Sequence, residues 1–71
     1  MHEDIRVRFG RRLRELRKKR GWTQVEFGER VGLDRSYIAD IERGNRNVSL
    51  VNLEALAEAL GLTLGKLFSR I

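Results

Sequence analysis

Apolar residues along this chain recur at spacings of three and four, and no stretch alternates as a half-buried strand does. Ile5, Phe9, Leu13 and Leu16 share one face of a helix predicted over about 5–20. Phe27 and Val31 give the inward face of a second helix over about 24–31. Ile38 and Ile41 do the same for a third over about 35–43. Leu50, Leu53, Leu56, Ala57 and Leu60 mark a fourth over about 50–60. Leu64, Leu67, Phe68 and Ile71 mark a fifth over about 64–70. Gly44-Asn45-Arg46-Asn47 has no apolar position and reads as a loop. The pattern predicts an all-α fold of five helices in one domain spanning 1–71.

The punctuation agrees with the pattern. Pro is absent, and Gly21-Trp22-Thr23, Gly32-Leu33-Asp34 and Gly61-Leu62-Thr63 repeat one order: glycine, apolar residue, capping side chain. Glycine takes the left-handed position past a helix end, and Thr or Asp then accepts from the free N–H groups of the next helix. The apolar residue between them is placed to staple the helix start, which pairs Trp22 with Phe27, Leu33 with Ile38 and Leu62 with Leu67. Val48 before Ser49 pairs in the same way with Leu53. Thr23-Gln24-Val25-Glu26 is a complete capping box.

Composition narrows the class. A chain of 71 residues buries a smaller share of its surface than a large one, so dimerisation is the expected supplement to its core. Cysteine is absent, which excludes disulfides and thiolate metal sites and suits a reducing cytoplasm. No apolar run approaches the roughly 20 residues of a membrane span, and the N-terminus lacks a signal-peptide core. A cytoplasmic protein without membrane contact is expected. The net charge is +5, and it is unevenly placed. Residues 1–48 hold 13 Lys/Arg against 8 Asp/Glu, while residues 49–71 hold two of each. A basic front and a neutral, Leu-rich back suggest two surfaces with two tasks. Basic patches attract phosphate polymers by counterion release, although a solvated helix face has the same composition. Catalysis has no support: the single histidine, His2, is terminal, and no carboxylate pair, metal-ligand spacing or glycine-rich phosphate loop occurs. Neither enzyme activity nor any cofactor or metal is expected.

Gly21-Trp22-Thr23-Gln24, Glu26-Phe27, Gly32-Leu33, Tyr37-Ile38, Ile41-Glu42 and Gly44 fall where the Cro/C1-type (XRE family) helix-turn-helix regulators place equivalent residues. The resemblance covers residues 5–68 or so and lies in the joint spacing. The run IERGNRNVSLVNLEALAEALGL, in a chain ending just after the fifth helix, looks most like the controller proteins of restriction–modification systems. The resemblance implies a five-helix, lambda repressor-like DNA-binding domain, with its helix-turn-helix core over 23–43 and dimerisation region over about 49–71. It implies a homodimeric transcriptional regulator on a pseudo-palindromic operator, with a phage-type or antitoxin-type repressor as the alternative. The implied partners are double-stranded DNA and a second copy of the chain, with RNA polymerase as a further candidate. Gly28 departs from the family, which usually has Ala there. Close approach of the second and third helices is the expected reason, and either residue would serve.

The outward residues at the start of the third helix are those that enter a major groove in such a motif. A wheel puts Ile38 and Ile41 inward and Ser36, Ala39, Asp40 and Arg43 outward, with Arg35 and Tyr37 flanking. Arg35, Ser36, Tyr37 and Arg46 are the expected base contacts. Arg35 can reach a guanine edge or a phosphate. Ser36 can meet a base or cap its own helix. Tyr37 can stack beside a thymine methyl or pack against the second helix. Asp40 is repelled by phosphates unless it meets a cytosine amino group or pairs with Arg43 or Arg35; the pair is favoured. Gln24, Arg43, Asn45 and Asn47 are the expected backbone contacts, with Gln24 assigned by resemblance. Arg17 and Glu42 are expected to pair, as the family's equivalents do. Val51, Leu62, Leu64, Leu67, Phe68 and Ile71 are the candidate dimer surface, unless they close the core of one chain.

Overall fold

Four of the five helices begin where a side chain takes up a free N–H group. Residues 3–71 are described in a computed structural model; His2 lies outside them. The helices are α1 (Ile5–Lys19), α2 (Gln24–Val31), α3 (Arg35–Glu42), α4 (Leu50–Leu60) and α5 (Leu64–Leu67). Asp4, Thr23, Ser49 and Thr63 cap α1, α2, α4 and α5 by accepting from the N–H groups of Arg6, Glu26, Asn52 and Lys66. At Thr23 the box is reciprocal: Glu26 Oε1 accepts from the Thr23 N–H at 2.8 Å. Asp34 differs from expectation. It has the extended backbone of an N-cap, but its side chain makes no capping hydrogen bond. The first N–H groups of α3 therefore depend on solvent or a ligand.

One hydrophobic cluster joins four of the helices to α5. Leu13, Phe27, Ile38, Ile41, Leu56, Leu60 and Leu67 are its fully buried members. The staple at α2 is direct, with the Trp22 and Phe27 rings stacked at 5.7 Å between centroids. Leu33, Val48 and Leu62 pack on the same cluster. Three inward or outward assignments change. Ile5 and Leu50, expected inside, are 55% and 79% exposed. Each is the first residue of its helix, where periodicity gives a direction but the core does not close over the side chain. Ala39, expected outside, is buried, because α3 packs against both α1 and α2 and so hides a wider arc than Ile38 and Ile41 define.

The C-terminal segment is shorter than its pattern. α5 stops at Leu67 rather than 70, and Arg70 takes a left-handed φ of 67°. Arginines of α1 hold this end. Arg12 Nη2 donates to the Lys66 carbonyl at 2.9 Å and its Nε to the Leu67 carbonyl at 3.3 Å. Arg8 Nη1 donates to the Ile71 carbonyl at 3.2 Å. Arg20, just past α1, donates to the Leu60 carbonyl at the end of α4 at 2.6 Å. Arg12 and Arg20 thus serve orphan carbonyls at the C-termini of α5 and α4, and Arg8 holds the last residue.

Candidate nucleic-acid interface

The turn between α2 and α3 sets the site. Gly32 ends α2 with φ 87°, and its N–H and that of Leu33 both reach the Gly28 carbonyl, at 2.8 and 2.9 Å. Gly28 lies so close under the turn that a Cβ there would sit 2.5 Å from the Leu33 carbonyl oxygen. The expectation that Ala would serve equally is therefore corrected: backbone would have to move. A second close approach went unread in the sequence. A Cβ on Gly10 of α1 would lie 2.3 Å from the Ile41 carbonyl oxygen and 2.8 Å from that of Glu42. Backbone thus meets backbone where α1 crosses the end of α3.

Charge locks the same junction. Arg17 Nε and Nη2 donate to the two oxygens of Glu42 at 2.7 and 2.9 Å, with both side chains nearly buried. Arg17 also donates to the Trp22 carbonyl at 2.8 Å. The hydrogen-bonded Glu42 carboxylate raises the already high pKa of Arg17. Gln24 Nε2 donates to Glu42 Oε1 at 3.1 Å. One side chain at the end of α3 therefore ties down α1 and the first turn of α2. Gln24 commits one amide hydrogen in this way, which leaves its second donor free.

The outward face of α3 carries the polar residues. Arg35 and Ser36 are exposed in its first turn, and among the described residues the Arg35 guanidinium has no protein partner. Tyr37 is half-buried against the core cluster and is tied to α4: its hydroxyl accepts from Asn52 Nδ2 at 3.2 Å. The Arg46 guanidinium lies over the Tyr37 ring, 4.7 Å from its centroid. Asp40 accepts from Arg43 Nη2 and, at 3.4 Å, from Arg46 Nε. The partner of Asp40 beside Arg43 is thus Arg46, not Arg35. The loop past α3 folds back for this purpose, since the Asn45 N–H reaches the Asp40 carbonyl at 2.9 Å. Asn45 and Asn47 are exposed beside it.

The candidate dimer residues separate into three groups by exposure. Leu67 is fully buried in the core of one chain, so its assignment to a partner surface is corrected. Phe68 packs on Phe9 with ring centroids 5.3 Å apart, and Leu62 and Ile71 are half-buried. Val51 and Leu64 are 75% and 42% exposed. Leu50 joins them as a large exposed apolar side chain that helical periodicity had assigned to the core.

Two short helices set by backbone contact, with polar residues on the open side of the second, define a helix-turn-helix protein. The helix-turn-helix family model matches residues 13–67, and the chain belongs to the Cro/C1-type (XRE) helix-turn-helix family of DNA-binding regulators, a family of transcription regulators rather than enzymes. It is 52% identical over 69 residues to the control protein C.MunI of Mycoplasma sp, covering 96% of this chain and 93% of that one. It is 53% identical over 53 residues to the immunity repressor protein of Bacillus phage phi105, which covers 75% of this chain but only 37% of the repressor. The solved structure of the restriction–modification controller protein C.AhdI from Aeromonas hydrophila superposes with a TM-score of 0.87 at 52% identity, covering 90% of this chain and 97% of that one. Among the described residues, no helix is long and apolar enough to cross a membrane.

Proposed function

We propose that the protein is a cytoplasmic homodimer that binds a pseudo-palindromic operator and acts as the controller of a restriction–modification system. The observation that carries the DNA reading is Arg35 in the first turn of α3, exposed and without a partner among the described residues, on a helix fixed by Glu42 and Gly10. Arg35 is the principal base contact, with Ser36 beside it; a bidentate Arg–guanine contact gives roughly 1–3 kcal/mol of discrimination. Arg46 reads the neighbouring edge, and Tyr37 both seats Arg46 and borders the groove. Gln24, through its second amide hydrogen, with Arg43, Asn45 and Asn47, holds phosphates on either side. Val51, Leu64 and the half-buried Leu62, Phe68 and Ile71 form the seam between copies, joined by Leu50. RNA polymerase is a further partner of such a regulator bound near a promoter. The controller assignment is supported by the names of C.MunI and C.AhdI, each matched over nearly its whole length.

The test is selection of bound duplexes from a random pool. The expected product has two half-sites related by two-fold symmetry, with centres about 34–36 Å apart or a multiple of it. Affinity should fall with salt by about 0.9 in log K for each phosphate neutralised. Arg35→Ala should relax preference at one base pair of each half-site. Unchanged affinity and preference in that variant would show that α3 is not the reading helix. A second reading, a phage-type or antitoxin-type repressor, is favoured by the likeness to the phi105 immunity repressor. A neighbouring endonuclease gene supports the first reading, and a toxin or phage genes the second.

A further inference from the structure

A carboxylate stands on the face of α3 that the proposed function turns toward DNA. Asp40 lies between two guanidiniums, with Arg43 on Oδ1 and Arg46 on Oδ2. Its own side chain is 27% exposed, against 60% for Arg43 and 47% for Arg46. Left alone among phosphates it would weaken binding by repulsion. Paired as it is, it leaves the trio with a net charge of +1 rather than +2. Arg46 is held twice, at its Nε by the carboxylate and across its flat face by the Tyr37 ring. Tyr37 is in turn fixed through Asn52. Among the described residues, neither Nη of Arg46 has a protein partner, so its outer edge stays open.

On the reading of α3 as the DNA-facing helix, we infer that Asp40 is a positioning residue that sets sequence discrimination at the cost of affinity. It lowers the attraction of the loop for any phosphate backbone and restricts Arg46 to one approach. The open Nη edge of Arg46 is then presented to a base or groove wall in a fixed orientation. Arg43 is likewise turned from free cation to oriented donor. A long, unrestrained arginine grips phosphates on every duplex alike; an anchored one is matched by few sequences.

The test compares wild type, Asp40→Ala and Asp40→Asn on the selected duplex and on a random-sequence duplex, across a salt series. Both variants should bind the random duplex more tightly, by roughly two- to fivefold, the scale of an exposed ion pair. Their salt slope should steepen by up to about 0.9 for each freed arginine that finds a phosphate. The ratio of selected to random affinity should fall by about fivefold or more, from loss of one oriented contact. Asp40→Glu, which keeps the charge, should restore part of that ratio. Thermal melts establish that the variants remain folded, since Asp40 lies outside the core. Unchanged affinities and slopes overturn the inference. So does loss of binding confined to duplexes with cytosine at one position, which would make Asp40 itself a base contact. If wild type binds neither duplex, the DNA reading fails, and this inference with it.

Discussion

Gly10 shows how a single missing methyl group can govern a site. Ala is favoured over Gly inside a helix by about 1 kcal/mol. A Cβ at position 10 meets two backbone carbonyl oxygens, at 2.3 and 2.8 Å, and overpacking of that kind costs about 1–3 kcal/mol or more. The second effect wins, so Gly10→Ala should lower the melting temperature, as should Gly28→Ala beneath the turn. Gly65→Ala is the internal control: its Cβ would have only Thr63 Oγ1 near it, at 3.9 Å, and should stabilise by about 0.4–1 kcal/mol. Urea titration of the three variants would read all signs at once. None of this was legible in the sequence at Gly10, because a glycine within a helical pattern does not say what crosses it. Arg17 and Glu42 were expected to pair from resemblance, whereas the added donation from Gln24 needs the folded distance.

At the level of the helices, periodicity and caps located α2 and α4 to the residue, since turn chemistry and apolar spacing agreed at both ends. They failed at α5, where the apolar pattern of Phe68 and Ile71 persists after the backbone has left the helix. They also failed for Arg8, Arg12 and Arg20, which bond carbonyls 40 to 63 residues away along the chain. Arg12→Ala and Arg20→Ala should therefore cost about 0.5–1.5 kcal/mol of stability each, with little change in the salt slope of DNA binding. A large fall in that slope without loss of stability would return those arginines to the DNA face. The caps also carry an acid dependence. The Arg6 side chain, then its N–H, hold Asp4 at a pKa of about 2, below its usual 3.8. The Thr23 N–H lowers Glu26 below its usual 4.5. Depressed carboxylates stabilise the fold above their unfolded values and lose that effect as pH falls through the folded ones. Helix content should thus decline below about pH 4.5 and continue to about pH 2, with the acid limb flattened in an Asp4→Asn, Glu26→Gln double variant.

For the molecule as a whole, exposed apolar side chains gather at the start of α4, whose Asn52 bonds Tyr37 of α3. They supply what the proposed dimer needs: Leu50 and Val51 are 79% and 75% exposed. Exposed apolar area of this kind is worth about 25 cal/mol per Å² when covered. Val51→Lys or Leu50→Lys should shift sedimentation equilibrium toward monomer and weaken operator binding more than binding of an isolated half-site. A monomer–dimer balance indifferent to both changes would place the seam elsewhere. The close crossing of α1 over the end of α3 reaches further than stability. With carbonyl oxygens against a bare α-carbon, no layer of side chains remains there to shear. On the proposed function, α3 cannot swivel on its own scaffold and is steered as one block. Mismatch between two half-sites would then be absorbed by tilting at the join between copies, or by bending the duplex itself.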